Sequence, residues 1–135
     1  ARFAEKLTLP AEILNVTDYV DMQELLFVSD CVISDYSSCI FEFAATGKLG
    51  FIFAIDYEEY KKNRDVYFEL DESPFLIAKS NNELVVNILG FNEHEYQEKL
   101  QKFFGERIGV ISDGNASNRC AELINKICQD GVIII

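Results

Sequence analysis

Three short apolar runs, EILNV (12–16), CVIS (31–34) and GFIFAI (50–55), alternate with helix-patterned segments and short connections. That β-α-β-α-β order constrains the chain more than any other feature. Parallel strands need a crossover between them, usually a helix, and a sheet built this way is covered by its own helices. The pattern predicts an α/β fold: a Rossmann-like parallel sheet with helices on both faces. CVIS, short and wholly apolar, is expected near the centre of the sheet. FLIAK (75–79) reads as a further strand.

Helix signals fill the intervals. Asp21 and Glu24 have capping-box spacing ahead of a face made by Met22, Leu25 and Leu26, which predicts a helix ending near Ser29. Ser38 to Thr46 is apolar almost all round, so that helix is expected to be mostly buried, with Gly47 as its stop. Residues 56–73 turn polar and aromatic and read as a surface segment with one helical turn and a short VYFEL extension. Ser80 with Glu83 opens a helix to about Leu89. Asn92 with Glu95 opens another over 93–104, with Tyr96, Leu100 and Phe103 facing inward. A last helix, 116–129, carries a stripe of Ala116, Cys120, Leu123, Ile124 and Ile127. No repeat or linker demands an internal boundary, so residues 1–135 are read as one domain.

Composition sorts the function classes. A chain of 135 residues with 49% hydrophobic content can bury a core. Its net charge of −11 argues against unaided binding to nucleic acid or anionic lipid, which need a basic footprint. One anionic ligand remains compatible, because helix N-termini bind phosphate without a positive net charge. Cys31, Cys39, Cys120 and Cys128 show no CxxC spacing and His94 is the only histidine, so a metal site has poor support. The cysteines read as reduced core residues of a cytosolic protein. No signal peptide is visible, and no apolar run reaches the ~18 residues of a membrane span. Beginning at Ala1 and ending in VIII, the chain reads as a piece of something longer.

The candidate site is DYSS (35–38). In parallel α/β sheets, ligands bind beyond the carboxyl ends of the strands. Ser37 and Ser38 open the helix that follows CVIS, where free N–H groups and serine hydroxyls suit a phosphate. Asp35 can shape the turn or accept from a ligand hydroxyl. Ordinary N-capping explains one such polar group equally well. Glu42 lies four residues beyond Ser38 on the same helix face, and it is the one charged side chain between Tyr36 and Gly47. Ribose hydroxyls would give its carboxylate donors, and so would water at a solvated helix edge.

DMQELLFVSDCVISDYSSCIFEFA, the strand FIF, DYEEYKKNRDVYFE, LIAKSNNEL and SDGNASNRCAELI form an ordered series. Over roughly residues 12–128 the series resembles the C-terminal part of the CDP-glycerol glycerophosphotransferases, the teichoic-acid polymerase and primase family. The resemblance implies the C-terminal, donor-nucleotide half of a GT-B fold. It implies transfer of glycerol phosphate, or a related alditol phosphate, from a CDP-alditol to an acceptor hydroxyl, without metal or redox cofactor. Ser37 and Ser38 are then candidate diphosphate contacts, and Glu42, in EFAATG, resembles the acidic residue that holds the ribose. Asp113, in DGNAS, matches a DGKAS-like element and serves as ligand contact or cap.

Two departures stand out. Leu49 replaces the family's proline, which should alter the turn into the strand but not the site. The family's catalytic histidines lie upstream of Ala1, so no catalytic residue is assigned. His94, on a predicted amphipathic helix, is expected to face solvent. Implied partners are a CDP-glycerol-like donor, an N-terminal acceptor domain of the same protein and a membrane-bound acceptor polymer, but no nucleic acid. The full-length protein is then expected in the cytoplasm, peripheral at the inner face of the membrane. Two other readings compete: the nucleotide-binding half of a GT-B glycosyltransferase or UDP-sugar epimerase-like enzyme, and a non-catalytic α/β module docking through Tyr57, Tyr60, Tyr67 and Phe68.

Overall fold

The computed structural model describes residues 8–64, 69–111 and 113–130. They fall into two compact units, 8–64 with 75–90, and 69–74 with 91–111 and 113–130.

The first unit holds the sheet. In chain order it comprises α1 (Met22–Val28), β1 (Cys31–Ser34), α2 (Cys39–Ala44), β2 (Leu49–Phe53), α3 (Tyr57–Asn63), β3 (Leu76–Ala78) and α4 (Asn81–Leu89). The strands run parallel in the order β1-β2-β3, with Cys31 opposite Leu49 and Phe51 opposite Leu76. The parallel α/β class is therefore as expected, with helices around one open sheet.

Strand order corrects one expectation. LGFIF (49–53), not CVIS, is central among the described strands. The reason is burial: Gly50, Phe51 and Ile52 are all buried, whereas β1 leaves Cys31 exposed and Ile33 50% exposed. A strand wet on one face suits an edge. EILNV (12–16) is a second correction. It forms no strand and is exposed throughout. Asn15 Oδ1 accepts from the Thr17 amide at 3.0 Å and from the Thr17 hydroxyl at 2.6 Å, a local turn that competes with any ladder.

Local signals set the helix ends. Asp21 accepts from the Gln23 amide at 2.8 Å, and the Ser29 amide donates to Leu25 O at the far end of α1. Ser80 accepts from the Glu83 amide at 3.3 Å, while Glu83 reaches back to the Lys79 amide at 2.7 Å. α2 is shorter than its apolar run suggests. Thr46 Oγ1 donates back to Phe43 O, and Gly47 takes φ +80°, a left-handed conformation that ends the helix at little cost.

The core gathers Ile40, Phe43 and Ala44 of α2, Phe51 and Ile52 of β2, Phe75 and Ala78. Gly50 permits close approach: a Cβ there would stand 3.0 Å from Ile40 Cγ1 and 3.1 Å from Phe75 Cε1.

Lys48 fastens α1 to this core. Its Nζ donates to the carbonyls of Leu26, Phe27 and Ser29, the last at 2.9 Å, and lies 5.4 Å from the Phe43 ring centroid. A cation on the open carbonyls at a helix C-terminus is favourable. Lys48→Met keeps the stem and removes the donor. It should lower the unfolding free energy by about 1–2 kcal/mol, read as a lower urea midpoint with unchanged slope.

The second unit holds a 3-10 turn (Leu70–Glu72), α5 (Glu93–Lys102), a π-helical segment (Phe103–Ile108) and α6 (Ala116–Asp130). Asn92 caps α5 through the Glu95 amide at 3.2 Å. Tyr96, Leu100 and Phe103 are buried, as expected. Arg107 binds Glu72 at 2.9 Å.

The cysteines are unpaired, as expected, but they are not core residues. Cys31, Cys120 and Cys128 are exposed, Cys39 is half-buried, and all four are free thiols. On α6 the stripe that was to bury Cys120 is itself open, with Leu123 and Ile124 exposed. Amphipathic spacing marks an apolar face but does not supply the surface that covers it. Among the described residues no helix is long and apolar enough to cross a membrane.

Candidate functional site at the carboxyl edge of the sheet

Because the three strands are parallel, their carboxyl ends share one edge. β1 exits into Asp35-Tyr36-Ser37-Ser38, β2 into Ala54-Ile55-Asp56 and α3, and β3 into Lys79 and Ser80.

On the first of these turns, Asp35, Ser37 and Ser38 are exposed. Ser37 Oγ accepts from the Cys39 amide at a long 3.4 Å. Ser38 stands at the N-cap of α2 with helical dihedrals (φ −63°, ψ −17°), and its side chain makes no cap hydrogen bond. An ordinary cap residue has extended dihedrals and spends its oxygen on the helix. Ser38 does neither, which leaves its hydroxyl for another partner.

Tyr36 points the other way. Its phenol donates to Asp56 Oδ1 at 2.6 Å, and its ring stacks on Tyr60 with centroids 3.8 Å apart and planes 16° apart. Tyr57 lies 6.2 Å away, also stacked. Burial first, then the Asp56 hydrogen bond and charge, push the Tyr36 phenol well above its ordinary range. Tyr57 is buried, so it belongs to the packing of this unit and not to an exposed docking stretch. Tyr67 and Phe68 lie outside the described residues.

Cations gather around these rings. Lys61 Nζ and Lys79 Nζ stand 5.4 and 5.8 Å from the Tyr57 centroid, and Arg64 lies 5.9 Å from that of Tyr60. Lys79 is shared with Glu58 at 3.7 Å. Asp35, Asp56, Glu58 and Glu59 lie on the same turns and helix, so the cations here are balanced by acids and do not form a basic patch. Serine hydroxyls and ammonium groups along one edge can receive phosphate oxygens.

The remaining predicted residues are placed differently. Glu42 is exposed on α2, and its Oε2 accepts from Gln23 Nε2 of α1 at 2.8 Å. Asp113 belongs to the second unit. It accepts from the Asn115 amide at 2.9 Å and from Arg119 Nη1 at 2.7 Å, and that guanidinium holds its carboxyl below the usual range. This is local bonding at the start of α6. His94 faces solvent, its side chain 83% exposed, with Glu98 at 3.7 Å.

Tyr36 as an anchor, Asp56 and Lys79 were not foreseen from the sequence, and Tyr60 was expected only in an exposed docking stretch. One signal could have found the first two. The dipeptide Asp-Tyr recurs at the exit of two successive strands, in ISDYSS and in AIDYEEY. An open, mostly apolar groove of 740 Å³ is lined by α1 and the segment before it, with Gln23, the partner of Glu42, among its lining residues.

Residues 5–126 match the family described as CDP-Glycerol:Poly(glycerophosphate) glycerophosphotransferase. A teichoic acid ribitol-phosphate primase of Bacillus spizizenii is 32% identical over 120 residues, covering 88% of this chain and 30% of that protein. A teichoic acid poly(glycerol phosphate) polymerase of Staphylococcus epidermidis is 32% identical over 122 residues, 84% of this chain and 16% of its own length. Among solved structures, a variant of the wall teichoic acid polymerase TagF soaked with CDPG superimposes with a TM-score of 0.63 at 30% identity. That match covers 87% of this chain and 30% of the other. The chain spans 15% to 30% of the length of the curated relatives it matches.

Proposed function

We propose a donor-side role for this chain, which belongs to the CDP-Glycerol:Poly(glycerophosphate) glycerophosphotransferase family. In this reading it is one nucleotide-binding domain of a longer, two-domain GT-B enzyme. That enzyme transfers glycerol phosphate, or a related alditol phosphate, from a CDP-alditol to an acceptor hydroxyl in teichoic-acid or other cell-surface polymer synthesis. Attack on phosphorus needs a base at the acceptor hydroxyl and stabilisation of the phosphates near the leaving group. Ser37, Ser38, Lys61 and Lys79 suit the second task. The first falls to a preceding acceptor domain, as do contacts with a membrane-bound polymer at the cytoplasmic face. Asp35 and Glu42 are the proposed acceptors for ligand hydroxyls, Glu42 for the ribose; Asp113, in the second unit, is a ligand contact or simply a cap.

The observation that carries this reading is the family match over residues 5–126, with DYSS at the carboxyl edge of a parallel sheet. Calorimetric titration with CDP, UDP, ADP and GDP tests it. CDP should bind, weakly, because one wall of a cleft leaves the nucleotide wet. With CDP-glycerol and an acceptor, the chain should release no CMP above buffer, and His94→Ala should change neither result. Tighter binding of UDP would favour the glycosyltransferase reading, and no binding of any nucleotide would sink both.

A further inference from the structure

We propose that Tyr36 and Asp56 form a positioning clasp that fixes the Asp35–Ser38 turn in its ligand-receiving shape. The inference rests on the donor-nucleotide reading of that turn. Asp56 occupies the N-cap position of α3, yet its side chain makes no cap hydrogen bond there. Its carboxylate instead takes the Tyr36 phenol at 2.6 Å, across 20 residues of chain. A side chain so placed would ordinarily serve its own helix, so the clasp replaces a local bond with a bond between two strand exits.

Tyr36 is the half-buried member of the turn, and Asp35 and Ser37 on either side of it are exposed. Its ring is held flat on Tyr60 at 3.8 Å, and Arg64 covers Tyr60 at 5.9 Å. One inward anchor thus orients three outward polar groups. Groups that meet a phosphate need placement to a fraction of an ångström, and such placement comes from neighbours locked by packing and hydrogen bonds. Tyr36 and Asp56 need not touch the ligand to do this.

Three variants of the chain test the clasp. Tyr36→Phe keeps the stack and loses the hydroxyl, Asp56→Ala loses the acceptor, and Asp56→Asn keeps a neutral acceptor. CDP affinity is read by calorimetry, and amide hydrogen exchange is read at Ile40 and Phe41, whose amides donate to the Ser37 and Ser38 carbonyls of the turn, with α4 as internal control. Tyr36→Phe and Asp56→Ala should weaken CDP about five- to twentyfold and speed exchange in the turn, with α4 unchanged. Asp56→Asn should stay within about threefold of the parent chain. The clasp is overturned if exchange in the turn is unaltered or rises equally in α4. Faster turn exchange with undiminished CDP affinity overturns it too, as does Asp56→Asn binding as poorly as Asp56→Ala. If the parent chain binds no CDP, the donor reading falls. Exchange confined to the turn would then still uphold the clasp as a device of the fold, and uniform exchange would remove it.

Discussion

Phe43→Ala should lower the unfolding free energy by about 3–5 kcal/mol, the usual loss for a buried phenylalanine cut to a methyl group. Phe43 is 1% exposed, on a helix packed against β1 and β2. Its ring also faces the Lys48 ammonium at 5.4 Å. The substitution therefore opens a cavity and takes away one aromatic face of the cation that fastens α1. Domains of this size are stable by only about 5–15 kcal/mol, so much of the margin disappears. Urea unfolding followed by far-ultraviolet circular dichroism would measure it. A loss under about 1 kcal/mol would mean that the site collapses freely, and would count against the packing of α2 described above.

Ser38→Ala should weaken CDP by about 1–3 kcal/mol, the range for a lost hydrogen bond to a charged phosphate. Stability should stay within about 0.5 kcal/mol, as for surface changes away from special features. The two measurements together separate binding from capping. A serine that caps its helix typically costs about 1 kcal/mol of stability on truncation. Ser38 makes no such bond, so no cap is lost. Calorimetry with CDP and a urea melt on the same variant check both halves. Unchanged affinity with reduced stability would make Ser38 a cap and remove it from the site.

Legibility in the sequence followed the range of the interaction. Asp21, Ser80 and Asn92 act within three residues of themselves, and their spacing announced the helix starts. Tyr96, Leu100 and Phe103 share a helical stripe and are buried. The parallel class followed from the alternation of elements. Sheet order did not, because CVIS and LGFIF have the same local character and differ only in what lies over them. EILNV resembled a strand for the same reason, until the Asn15–Thr17 turn prevailed. At the site, the serines were legible as polar residues in an apolar setting. The grip on Tyr36 was not, because Asp56 is 20 residues away. Lys48 reaches carbonyls 19 to 22 residues back, and no propensity reports such a bond.

Gly50 bears on how firmly the DYSS turn is mounted. With no side chain on that residue, the Ile40 side chain rests directly against the backbone of β2, and Phe75 closes the same spot. Ile40 is two residues beyond Ser38, so the turn leads into a helix seated directly on β2. A loop free to swing would have to be stilled on binding, at a cost in conformational entropy. Under the donor-side proposal, the turn is then a wall set in place by packing, and its ordering adds little to the cost of binding.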